Sequence, residues 1–162
     1  MPTFASMESA PLKLIKDELK HKDAEELKEI IARLARFKKD NKELLSYLLF
    51  DADNEAEYII MIKESLDESF ELVNKEQVYF AKKSIRKILR NVNKCCRYSG
   101  KKETKIELLV FFCQKMNELE VSWKSYTALS NLYISQIQKI KKLIPSLHPD
   151  LQHDYTQMVE SL

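Results

Sequence analysis

Gly100 is the one glycine in a chain of 162 residues, and its isolation limits the fold more than any other feature. Hairpin sheets need glycine or Asn-Gly corners in number, because the tight turns between antiparallel strands run through positive φ. A loop that cradles phosphates needs several glycines so that the backbone can approach the anion, which excludes nucleotide folds of the glycine-rich type. Four prolines leave long stretches uninterrupted. Helices are what such a chain can build.

The apolar residues fall at helical spacing. Pro11 suits a first helical turn, with Ser9 as its expected cap, and Leu12, Leu14, Ile15 and Leu19 follow. Asp23 with Glu26 forms a capping-box pattern ahead of a helix over 24–38 that buries Leu27, Ile30, Ile31 and Leu34. Asp40 with Glu43 repeats that start ahead of a third helix over 41–50, apolar on most sides and therefore expected to be central. Asp53 is the expected cap of a fourth over 54–73, in which Ile59, Ile62, Leu66, Phe70 and Val73 recur at steps of three and four. A fifth over 76–98 stops at Gly100, the place for a left-handed C-terminal glycine. A sixth over 103–118 has a very apolar middle, a seventh covers 123–144, and Pro145 and Pro149 set off a short last helix over 149–161.

Two corners nearly spell each other. Leu34 to Leu45 is echoed by Cys95 to Leu109 once Ser99-Gly100 and Ile106 are allowed as gaps. Helices two to four would then match helices five to seven, a repeat over 24–75 and 76–144. Stacked three-helix units of this kind resemble armadillo- or HEAT-type α-superhelices in architecture, with a longer unit. The expected fold is all-α, with seven or eight helices, as a short superhelical stack or an irregular bundle. It forms one domain over 10–162 behind a flexible tail over 1–9.

Net charge is only +2, yet it is polarised. Residues 51–76 hold nine acids and two bases, whereas 77–102 hold nine bases and no acid. At 100° per residue, Lys83, Lys87, Arg90, Lys94, Arg97 and Lys101 lie within about 40° of one line, opposite Ala81, Ile85, Ile88 and Val92. That ridge spans about 27 Å and can follow a phosphate backbone, with Tyr79 and Tyr98 at its flanks to stack on bases. A structural reading competes with it: the acidic fourth helix and the basic fifth are neighbours in sequence, and their charges would pair along a shared edge. An isoelectric point of about 8.3 also falls short of the value above about 9 expected of a dedicated nucleic-acid domain.

Chemistry-bearing residues are sparse. His148 and His153 bracket Asp150, with Asp154 adjacent, but a spacing of five does not put two imidazoles on one helical face as zinc helices require. Cys95, Cys96 and Cys113 read as small buried hydrophobes in a reducing cytoplasm, with no histidine placed to activate them. Arg36 with Glu43, and Arg97 with Glu107, are expected to pin their corners as ion pairs. Trp123 reads as a core residue or staple at a helix start, next to Tyr126. No apolar run reaches the ~20 residues that cross a bilayer, and no secretory signal is expected at Met1–Glu8. No catalytic, metal or cofactor residue is assigned. The expected protein is a non-enzymatic cytoplasmic interaction module whose partner is another protein, with nucleic acid on the basic ridge as the alternative and self-association left open.

Overall fold

Asp23 and Glu26 close their capping box: the Asp23 carboxylate accepts from the Glu26 amide at 2.8 Å, and the Glu26 carboxylate accepts from the Asp23 amide at 3.1 Å. Local signals of this kind start and stop the helices of the computed structural model, which describes residues 9–162. The fold is all-α. Its eight α-helices are α1 (Leu12–Leu19), α2 (Ala24–Phe37), α3 (Lys39–Ser46), α4 (Glu55–Glu71), α5 (Val78–Ser99), α6 (Lys102–Glu118), α7 (Thr127–Leu143) and α8 (Pro149–Glu160), with no strand among the described residues. The tail expected over 1–9 lies, Ser9 apart, outside the described residues.

Three expected caps move. Asp40 lies inside the first turn of α3, which already begins at Lys39, so it does not cap that helix. The N-cap of α1 is Pro11 and not Ser9, because the chain becomes helical only after the proline. Asn54, whose side chain accepts from the Glu57 amide, takes the place given to Asp53. The segment given to a helix from 123 starts instead as a 3-10 turn, Trp123–Ser125, and α7 begins at Thr127.

The chain divides into two compact units, one ending at Ser46 and one running Tyr47–Leu162. In the first, α2 packs on α3, and the Asn41 side-chain amide donates to the Leu34 carbonyl at 2.9 Å. None of its three helices contains a buried residue. The apolar face expected to be buried on α2 is largely open: Ile30, Ile31 and Leu34 are exposed and Leu27 is half-buried, while Phe37 at the helix end is 83% exposed.

The second unit holds the core. α6 is its central element, packed by α4, α5, α7 and α8. Ile106, Leu108, Leu109, Phe112, Cys113 and Met116 are wholly buried along it. Phe70 of α4 meets Phe112 with ring centroids 5.5 Å apart. The Trp123 indole N–H donates to the Met116 carbonyl at 2.6 Å and its ring packs on Tyr133, so Trp123 is a core residue. The third predicted helix does not repeat this central position. Its residues after Ser46 form a π-helical turn, Tyr47–Asp51, in which only Tyr47 is buried while Leu48, Leu49 and Phe50 are exposed. Tyr47 alone turns inward, against Tyr58 at 4.7 Å.

Gly100 ends α5 at φ +70°, and its amide donates to the Cys96 carbonyl at 2.9 Å. A Cβ there would meet nothing within 4 Å, so the cost of a side chain is backbone strain alone. Gly100→Ala should lower the unfolding free energy by about 1 kcal/mol, whereas Phe112→Ala, which empties the centre of the core, should cost about 4 kcal/mol. Urea denaturation followed by circular dichroism reads both.

Candidate functional site

Burial on α5 decides where its cations go. Ala81, Ile85, Ile88, Val92 and Cys96 point into the core, and the basic residues occupy the remaining arc. Two open grooves run along that arc. The first, about 520 Å³, is lined among the described residues by Tyr79, Lys82, Lys83, Arg86, Leu89, Arg90 and Asn93. The second, about 660 Å³, starts at the same Asn93 and continues past Arg97, Lys101 and Lys102 to Lys105 of α6 and Lys139 and Leu143 of α7. Four cations line the first groove and five the second, with no carboxylate among the described lining residues of either.

The predicted ridge is thus only partly the wall of this track. Lys83 and Arg90 line the first groove, and Arg97 and Lys101 the second. Lys87 is exposed outside both, and Lys94 is half-buried outside both. Counted at 100° per residue, the lining arc is rotated by about 60° from the predicted line. The rotation brings in Lys82 and Arg86, which the charge block contained but the ridge omitted. It also turns the track toward α6 and α7, where Lys105 and Lys139 become part of it through tertiary packing that no local pattern signals.

The expected pairing of the acidic α4 with the basic α5 is not what the structure holds. Lys82, Lys83, Arg86, Lys87, Arg90 and Arg97 form no ion pair among the described residues. α4 pairs instead mainly toward α6: Lys63 meets Glu107 at 2.9 Å, and Asp67 binds Lys115. The reason is geometric, because α4 packs against the buried side of α5, roughly opposite its cations. The predicted corner bridges are corrected as well. Glu107 is taken by Lys63 and accepts from the Tyr155 hydroxyl at 3.3 Å, and Glu43 pairs with Lys39 at 3.5 Å, so neither Arg97 nor Arg36 pins its corner.

Lys101 of the predicted ridge does hold an ion pair, and it exposes a residue that sequence reasoning missed. Its ammonium lies 3.0 Å from Glu55, whose carboxylate, only 17% exposed, also accepts from the hydroxyls of Ser99, Thr104 and Tyr47. Burial opposes the Glu55 charge, but these donors outweigh it and hold the carboxyl down at about 2. The same ion pair raises the Lys101 ammonium above its ordinary value. Such a carboxylate is a fixed anion. It is the opposite of a general acid, which needs a raised pKa. Its position at the start of α4, where helical amides favour an acid, is the one signal that sequence offered.

The other candidates hold no chemistry. Burial pushes the Cys96 and Cys113 thiols up to about 12, far from thiolate. His148 and Asp150 meet at 3.4 Å on the surface. Among the described residues no group of three or more His, Cys, Asp or Glu is placed to hold a metal ion, and no helix is long and apolar enough to cross a membrane. Neither a family model, nor a curated protein, nor a solved structure matches the chain.

Glu55 titrates near 4.5 in an unfolded chain and near 2 when folded, so its contribution is complete above about pH 4.5 and is lost as pH falls through about 2. Glu55→Gln should remove that part of the acid destabilisation and cost about 2 kcal/mol at neutral pH. Urea titrations at neutral pH and across this acid window measure both effects. Alkylation should leave Cys96 and Cys113 unmodified in the native protein at about pH 8 and label both once urea unfolds it; mass spectrometry counts the adducts.

Proposed function

We propose that this protein is a non-enzymatic interaction module that binds an extended polyanionic partner along the cationic track of α5. The observation that carries the reading is the pair of adjoining grooves, lined by cations from three helices and by no described carboxylate. Unpaired cations at short spacing repel one another, and a polyanion laid along them replaces that repulsion with attraction while releasing its own counterions. A catalytic role has no support in the side chains present: the half-buried Glu55 carboxylate is a locked anion, and burial keeps the Cys96 and Cys113 thiols protonated. Cys95, Cys96 and Cys113 form no disulfide, which suits a reducing cytoplasm.

Fluorescence anisotropy with labelled single- and double-stranded DNA and RNA at two salt concentrations tests this reading. Binding should weaken steeply as salt rises. Arg86→Glu/Arg90→Glu should weaken it at least about tenfold, while Lys87→Glu, outside both grooves, should change it by less than about threefold. An affinity indifferent to salt, or an equal loss in the Lys87 variant, would remove the track from consideration.

A second reading, a protein partner, is favoured by the first unit alone. Leu12, Leu14, Ile31, Leu34 and Phe37 are exposed on helices with no buried residue. Covering a ring such as Phe37 gains about 2 kcal/mol. If the partner is a second copy, sedimentation equilibrium should show a concentration-dependent dimer that Leu34→Glu/Phe37→Glu abolishes. A monomer at all concentrations would remove self-association.

A further inference from the structure

We infer that the polyanion is a single-stranded nucleic acid, with its phosphates along the two grooves and a base on Tyr79. The inference rests on the polyanion reading above and adds the identity of the strand. Tyr79 is 73% exposed and sits at the head of the track, beside Lys82, Lys83 and Arg86 in the first groove. It is not a loosely hanging ring. Phe80, itself exposed, stands against it edge-on with centroids 5.3 Å apart and planes at 78°. The two aromatics thus form a platform on the surface, with the Tyr79 ring supported from one side.

An aromatic platform that opens onto a cationic groove is the pairing that single strands require. Stacking takes any base by its π-face, and the cations follow the backbone without reading sequence. From Tyr79 to Arg97 the helix rises about 27 Å, room for several nucleotides. Arg86, Arg90 and Arg97 present planar guanidinium forks that match phosphate oxygens in pairs and also stack on bases.

The alternatives use less of the surface. In a duplex the bases are stacked and paired inside, so Tyr79 would meet only sugar and phosphate. An acidic peptide would satisfy the cations, but its carboxylates hang on a backbone with no regular planar group to lay on the ring. Leu89 in the lining of the first groove adds an apolar contact that a sugar or base can use and a bare polyphosphate cannot.

Anisotropy of a labelled oligo(dT) or oligo(U), competed in turn with a hairpin duplex, inorganic polyphosphate and polyglutamate, tests the inference. Tyr79→Ala should weaken oligonucleotide binding about tenfold, leave polyphosphate competition unchanged, and be rescued by Tyr79→Phe. Arg86→Glu/Arg90→Glu should weaken both ligands. All these side chains are exposed, and an unchanged thermal midpoint for each variant confirms that folding is not what was altered. A Tyr79→Ala protein that binds the oligonucleotide as well as before, a duplex that competes better than the single strand, or polyglutamate that displaces it would overturn the single-strand inference while leaving a polyanion site in place. Absence of salt-dependent binding to every one of these polyanions would overturn the polyanion reading itself.

Discussion

A helix apolar on nearly every side cannot lie at a surface, and α6 imposes that condition on the whole second unit. Leu108, Leu109, Val110, Phe112 and Cys113 follow almost without interruption, so that any outward face would leave large apolar area in water. Four helices must therefore surround it, and each can offer only one stripe. On α5 the stripe is Ala81, Ile85, Ile88, Val92 and Cys96. Whatever else α5 carries has to point away, and what it carries is seven bases, from Lys82 to Arg97. The cationic track is thus a consequence of core packing as much as of composition.

Glu55 links that core to the track. It stands at the first turn of α4 and gathers Tyr47, Ser99, Thr104 and Lys101, which come from the turn ahead of α4, the end of α5 and the start of α6. An ionised carboxylate with this many donors is far more favourable than the same group half-satisfied, because burial penalises the charge unless the hydrogen bonds are complete. The cluster fixes the corner at Gly100, and with it the angle at which α6 and its Lys105 approach the second groove. Lys101 serves in both places: its ammonium meets Glu55, and the residue lines the second groove.

The all-α class, the helix count and most boundaries were legible in the chain, because the Asp23–Glu26 capping box, the left-handed Gly100 and apolar steps of three and four are local. So were the charge blocks, which are a matter of counting. Three things were not. The exposure of Leu48, Leu49 and Phe50 depends on a π-helical turn and on α6 already filling the core, so two equally apolar segments end in different places. Ion pairs also defy reading along the chain: Arg97 and Glu107 look like partners by spacing, yet packing hands Glu107 to Lys63 of α4. The position of the groove, about 60° from the densest line of cations, follows from where α6 and α7 come to rest, and Lys105 and Lys139 carry no mark of it in sequence.

The distribution of charge around α5 is not what stability alone favours. Like charges three and four residues apart cost a few tenths of a kcal/mol each on a helix surface, and an acid on the exposed arc would relieve several of them at once. The second unit does place acids against bases elsewhere, at Lys63–Glu107, Lys115–Asp67 and Lys75–Glu120. Among the described residues no such partner faces Lys82, Lys83, Arg86, Lys87, Arg90 or Arg97, and an exposed tyrosine is set at the head of their arc. Repulsion that is left in place over about 20 Å of one surface is stored interaction free energy, and the ligand that recovers most of it is one whose charges are as regularly spaced as those of the helix.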